Sequence, residues 1–225
     1  MIKAVIFDLD GTLTEFNLDF KACRTQVIQR LSEQGMPQQL FSLNESAFDM
    51  LLKIKKYLGP EPQENEMREF KKIVFSIVEN FELQAAKETK MFPGVLETLD
   101  TLRKMRLKMG LCTISGKKAS GLILRSFGIE HFFGAVFPRE SVINVKPNPV
   151  HLQAVLDSLN VNANEAIFVG DSIKDIICAT KLGVMAVGVT TGLSSMEQLK
   201  NSGSNYIISS ITEVPHLITE LNLKS

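Results

Sequence analysis

The alternation of short apolar runs with segments of helical period constrains this chain more than any other feature. Residues 2–7 read Ile-Lys-Ala-Val-Ile-Phe and end at Asp8, and comparable runs occupy residues 107–113, 135–137, 166–169, 185–189 and 206–208. Runs of this length predict strands. Between them, apolar residues recur at helical steps: Val95, Leu96, Leu99 and Leu102, then Leu122, Ile123 and Phe127, then Val150, Leu152, Val155, Leu156 and Leu159. Strands alternating with helices predict an α/β fold, a parallel sheet with helices on both faces.

Residues 16–90 break this rhythm. They hold three helical patterns and no convincing strand: Leu18, Cys23, Val27, Ile28 and Leu31; Phe41, Phe48, Leu51, Leu52 and Ile54; and Met67, Phe70, Ile73, Val74, Ile77, Val78 and Phe81. Gly59-Pro60-Glu61-Pro62 separates the second pattern from the third. Basic and acidic residues are equal in number here, as expected of a solvated helical module. The alternation resumes near Phe92-Pro93-Gly94. The expected organisation is an α/β core of residues 1–15 and 91–225, with residues 16–90 inserted after the first strand.

Composition narrows the function classes. The chain is 44% hydrophobic, enough to offset the entropy of ordering a core. Lys plus Arg and Asp plus Glu each number 25, and this balance argues against the broad basic face of a nucleic-acid-binding domain. The longest uncharged stretch, Leu182 to Met196, is interrupted by Gly183, Gly188 and Gly192 and is shorter than the ~20 apolar residues a membrane span needs. Cys23, Cys112 and Cys178 are scattered, which predicts reduced thiols in a cytoplasmic setting.

Four groups of residues carry chemistry, each at the carboxyl end of an expected strand, where open α/β sheets bind ligands. In Asp8-Leu9-Asp10-Gly11-Thr12, two carboxylates two residues apart on a strand face one crevice. One can attack phosphorus while the other exchanges a proton; the alternative is a strand running into an acidic turn. Thr113 ends another strand, with Ser115 and Gly116 following, so a hydroxyl and backbone amides can meet phosphate oxygens. A structural threonine is the competing reading. Gly110 to Lys117 does not form a P-loop, because the glycine spacing is one too long and Lys118 stands where Ser or Thr is required. In Lys146-Pro147-Asn148-Pro149 the lysine sits on a stiff loop before a helix, a point charge for phosphoryl oxygens or an exposed loop lysine. In Phe168-Val169-Gly170-Asp171-Ser172, with Asp175 beyond, a helix starting near Ser172 brings Asp175 back toward Asp171. Clustered carboxylates suit Mg²⁺; the alternative for Asp171 is a helix cap.

These four motifs, in this order, resemble those of the haloacid dehalogenase superfamily, and the chain is most similar to its phosphoglycolate-phosphatase-like branch. The resemblance covers Met1 to Thr14 and the chain from about Met91 onward. It implies a Rossmann-like core with a small all-helical cap inserted after the first strand. It also implies an Mg²⁺-dependent phosphatase acting on a small phosphorylated metabolite. In the family's terms Asp8 is the nucleophile that forms an aspartyl-phosphate, and Asp10 is the general acid and then base. Thr113 and Lys146 hold phosphoryl oxygens. Asp8, the Asp10 backbone carbonyl and Asp171 ligate the metal, supported by Asp175. The chain departs from many relatives at Glu15-Phe16, where they carry Asp-Ser, and at Ile114, where they carry a polar residue.

Three other functions could be built on the same core. A phosphomutase would keep the aspartyl-phosphate alive while its intermediate turns around; the absence of histidine in residues 16–90 disfavours it. A non-catalytic phosphate-binding protein has no physical need for Asp8, Asp10, Lys146 and Asp171 together. A dehalogenase would leave Asp10 little to do. No nucleic-acid or membrane partner is expected, and the protein is expected to be a monomer or homodimer. His131, His151 and His216 lie outside the motifs and read as surface or satisfied core residues. Arg24 and Lys53, Lys55 and Lys56 read as a solvated helix face rather than as a reader of an acidic substrate tail.

Overall fold

The computed structural model describes residues 1–15, 17–59 and 64–223. The chain divides into two compact units, Met1–Phe16 with Glu88–Ser225 and Asn17–Lys87.

The larger unit is built on a parallel sheet. Its strands are β1 (Ala4–Phe7), β2 (Lys108–Cys112), β3 (Ala135–Phe137), β4 (Ala166–Gly170), β5 (Met185–Val189) and β6 (Tyr206–Ile208). They lie in the order β3-β2-β1-β4-β5-β6, all parallel. Every run expected to be a strand is one: β1 and β2 are shortened by a residue or two at their ends, β3, β5 and β6 keep the expected bounds, and β4 runs one residue further, to Gly170. The residues of β1 and β4 are all buried, which explains why they read as unbroken apolar runs: parallel strands meet helices on both faces. Ala4, Ile6, Cys112, Phe168 and Ala186 form one cluster with Leu152, Val155, Leu156 and Ile176. Leu152, Val155 and Leu156 come from α6 (Pro149–Leu159), and Ile176 comes from α7 (Ile173–Leu182). Adjacent strand residues such as Val5 and Phe7 point to the opposite face and are equally buried. The helices α4 (Val95–Lys104), α5 (Lys117–Ser126), α8 (Met196–Asn201) and α9 (Val214–Leu223) complete the layers.

The strand order reverses about β1, whose neighbours are β2 and β4. Such a reversal leaves a crevice at the carboxyl ends of the central strands, the usual ligand site of an open α/β sheet. The register aligns Phe7 with Leu111 and with Val169, so Asp8, Cys112 and Gly170 stand level at that edge.

The smaller unit is helical: α1 (Phe20–Glu33), α2 (Ala47–Leu58) and α3 (Glu64–Glu88), the last ending one residue into the larger unit. Its core joins Cys23, Val27, Ile28 and Leu31 to Met50, Leu51 and Ile54 and to Phe70, Val74, Ile77 and Val78, the stripes expected from their spacing. Leu52, read as part of the second stripe, is instead exposed. Asp19 caps α1, and a reciprocal Ser46–Asp49 box caps α2. The Pro60-Glu61-Pro62 separator lies outside the described residues, as does Phe16. Arg24 donates to the Leu43 carbonyl and Lys53 to the Leu40 carbonyl, so both tie down a loop of their own unit. No helix among the described residues is long and apolar enough to cross a membrane. All three cysteines are buried and unpaired.

Candidate active site

Asp8 follows β1 directly, and its N–H donates to the Val169 carbonyl of β4 at 2.9 Å. The chain then reverses: the N–H groups of Thr12, Leu13 and Thr14 all turn back to the Leu9 carbonyl. Gly11 makes the turn possible, with φ +83° and a backbone so close to Asp171 that a Cβ would lie 2.6 Å from Oδ2. At the mouth of β4, Asp171 follows Gly170 and the helix cap is Ser172, not Asp171. Ser172 and Asp175 form a reciprocal capping box at the start of α7. Asp175 Oδ2 accepts both Ser172 N–H and Ser172 Oγ–H, leaving Oδ1 facing Lys146.

These loops bring Asp8, Asp171 and Asp175 together, all three buried, each offering an oxygen within 4.8 Å of the others. Lys146 is 3% exposed and sits among them. Its Nζ lies 2.7 Å from Asp8 Oδ1, 2.6 Å from Asp175 Oδ1 and 2.6 Å from the Cys112 carbonyl. Three acceptors thus surround an ammonium with three protons. The exposed-loop alternative for Lys146 is set aside. The Lys146–Pro147 peptide bond is cis.

The electrostatics follow from burial. Removal from water drives Asp8 well above the usual carboxylate range, opposed by the Lys146 charge and reinforced by Asp175 and Asp171. Asp171 is raised to about 6, by burial first and the Asp175 charge second. For Lys146, burial works against the charged form, but Asp175 and Asp8 outweigh it and hold the ammonium well above the usual lysine range. Three carboxylates against one ammonium leave the ionised cluster net negative. An all-oxygen donor set with excess negative charge fits a hard divalent cation.

Asp10 stands apart from the triad. Ser115 Oγ–H donates to its Oδ2 at 2.5 Å. Burial raises its carboxyl, and the Ser115 bond pulls the other way. Thr113 is buried at the end of β2, its Oγ1 accepting Ser115 N–H at 3.1 Å. Gly116 caps α5 with its backbone, and the first helical amide, of Lys117, donates to Glu140 Oε2 at 2.8 Å. Two amides of this loop are therefore already engaged, by Thr113 and Glu140.

Several residues without a sequence signal complete the site. Arg139, 6% exposed, donates to the Ile114 carbonyl at 3.2 Å and pairs with Glu140, tying the loop after β2 to the segment after β3. The turn after β5 holds Asp171: Leu193 N–H donates to its Oδ2 at 2.7 Å, and Thr191 Oγ1–H donates to the Gly11 carbonyl at 2.6 Å. Gly192 packs so tightly there that a Cβ would fall 2.0 Å from Asp171 Oδ2. A lone arginine and a Thr-Thr-Gly turn carry no spacing that marks them; only the strand order shows that they border the site.

The chain belongs to the haloacid dehalogenase-like hydrolase family, whose profile matches residues 5–189. It is 26% identical to a phosphoglycolate phosphatase of Vibrio parahaemolyticus over 96% of each chain. It is 25% identical to pyrophosphatase PpaX of Oceanobacillus iheyensis over 95% of each. Among solved structures, a hydrolase from Pseudomonas syringae shares the fold with a TM-score of 0.73 at 21% identity, covering 97% of this chain and 99% of that one.

Proposed function

We propose that this protein is an Mg²⁺-dependent phosphatase that hydrolyses a small phosphomonoester through an aspartyl-phosphate on Asp8. The observation that carries the reading is the buried cluster at the mouths of β1 and β4, in which Asp8, Asp171 and Asp175 converge and Lys146 pairs with Asp8 and Asp175. Asp8, the Asp10 carbonyl, Asp171 and Asp175 would hold the metal. When bound, the cation supplies positive charge that offsets repulsion between an anionic nucleophile and an anionic substrate.

The chain's own residues account for the rest. Asp8 attacks phosphorus, and the bond from phosphorus to the ester oxygen breaks. Asp10 keeps its proton more readily than an ordinary carboxyl because it is buried, and passes that proton to the departing oxygen. Asp10 then takes a proton from water as the water oxygen attacks phosphorus, which releases phosphate and regenerates the Asp8 carboxylate. Lys146 opposes the protonation of Asp8 that burial favours and, with Thr113, Ser115 and Gly116, holds the phosphoryl oxygens. Residues 16–90 are read as the cap and residues 1–15 with 91–225 as the catalytic core. Buried, unpaired cysteines agree with a reducing, cytoplasmic setting.

The relatives' names place phosphoglycolate first and pyrophosphate second on a substrate panel. The test is phosphate release from that panel with and without Mg²⁺, for the wild type and Asp8→Asn. Metal-dependent turnover that vanishes in Asp8→Asn is the expected result. Turnover that survives Asp8→Asn, or none from folded, metal-loaded protein across a broad panel, overturns the reading.

A further inference from the structure

His151 lies five residues beyond Lys146, in the first turn of α6, and is 0% exposed. Both ring nitrogens are used. Nδ1 accepts from the Lys146 backbone N–H at 3.4 Å, and Nε2 lies 3.0 Å from the Phe137 carbonyl at the end of β3. Accepting at Nδ1 places the single proton of a neutral imidazole on Nε2, which then donates to that carbonyl. The same carbonyl accepts the Thr113 N–H at 3.1 Å. One backbone oxygen therefore anchors Thr113 directly and Lys146 through the imidazole.

The other end of the lysine returns to the same strand pair. Phe137 is paired in register with Cys112, and the Cys112 carbonyl accepts Lys146 Nζ at 2.6 Å. Lys146 is fixed at its backbone through His151 and at its ammonium by Cys112, and both fixings lie within one residue of Thr113. A side chain in this place must be buried and must present an acceptor on one edge and a donor on the other, which the neutral imidazole does. Burial, helped by the Lys146 charge, keeps the ring neutral by lowering its pKa to about 4.

We propose that His151 is a positioning residue that sets Lys146 in register with Thr113, so that the two meet one phosphoryl group. The inference rests on the roles given to Lys146 and Thr113 above. A histidine that merely satisfies two backbone groups would affect stability and leave phosphate binding alone.

The test uses the full-length protein with Mg²⁺ and inorganic phosphate as the probe, its dissociation constant measured by calorimetry. Urea midpoints, and kcat and KM on the best panel ester, are measured alongside. His151→Phe keeps ring volume and loses both hydrogen bonds. It is expected to weaken phosphate binding about tenfold and to raise KM to match, while still folding. His151→Asn retains an acceptor toward Lys146, and His151→Gln retains a donor toward Phe137. The Asn variant should bind phosphate more tightly than the Gln variant, a comparison that stands even if the Phe variant does not fold. A Phe variant with a lowered urea midpoint and wild-type phosphate affinity overturns the proposal, as does a Gln variant that equals or exceeds Asn. A wild type that binds phosphate but turns over no ester overturns the phosphatase reading and leaves this test intact; a wild type that does not bind phosphate overturns both.

Discussion

Lys146 Nζ lies 2.7 Å from Asp8 Oδ1, and both side chains are nearly sealed from water. Removing one partner of a buried pair leaves an uncompensated charge, and here it leaves three carboxylates. Lys146→Met should therefore lose about 3–5 kcal/mol of metal-free stability in urea unfolding, along with phosphate release. Asp8→Asn should act oppositely on stability. The fold raises Asp8 far above its ordinary range, so it disfavours the anion, and Lys146 keeps Asp175 as a partner. The metal-free urea midpoint of Asp8→Asn should rise while turnover is lost. A fall in that midpoint would show that the cluster does not repel the Asp8 charge.

Metal binding should compete with protons. Without metal, Asp171 titrates at about 6, above its unfolded value, so the folded state holds the extra proton. The stability gained from that proton is fully present below the unfolded carboxyl value and is lost as pH rises through about 6. An oxygen ligand must be unprotonated, so a cation can regain the loss only above that window. Saturating Mg²⁺ should raise the melting temperature more at about pH 7.5 than at about pH 5, read by scanning calorimetry. Equal shifts at both would count against Asp171 as a ligand.

The turn after β5 should govern metal affinity although it supplies no ligand side chain. Gly192→Ala would place a methyl group against Asp171 Oδ2 and disturb the 2.7 Å bond from Leu193 N–H. Metal affinity should fall about 10- to 100-fold with the fold retained, measured by Mg²⁺ titration. Unchanged affinity would mean that the carboxylate can move aside freely.

Ser115 should act on the proton step as well as on substrate contact. Its hydroxyl is the 2.5 Å partner of Asp10 and lowers a carboxyl that burial raises. Ser115→Ala should move the alkaline limb of the kcat profile to higher pH, because Asp10 then holds its proton longer. It should also lower kcat about tenfold through lost orientation. A KM effect with an unmoved pH profile would restrict Ser115 to substrate binding.

The fold was legible because parallel strands buried on both faces announce themselves as apolar runs, as Ala4–Phe7 and Ala166–Gly170 do. The acidic motifs were legible for a related reason: Asp8 and Asp171 sit immediately beyond such runs. Local spacing did not reveal what supports them. Thr191 reaches Gly11 across 180 residues and Leu193 reaches Asp171 across 22, contacts fixed by the β1–β4–β5 order. His151 reads as a surface or a satisfied core residue and is the latter, yet the groups that satisfy it belong to Lys146 and Phe137, which periodicity does not reveal. The helical stripes of residues 17–87 were plain except at Leu52, where one apolar residue fell on the solvent side.

The central claim is that the phosphoryl group passes to Asp8. The most direct measurement quenches a turning-over reaction in acid, reduces the protein with borohydride and reads the peptide containing Asp8 by mass spectrometry. An acyl phosphate reduces to an alcohol, so Asp8 should appear as homoserine only when substrate and Mg²⁺ were both present. Continued phosphate release with Asp8 unreduced, or with the reduction at another carboxylate, would contradict the account.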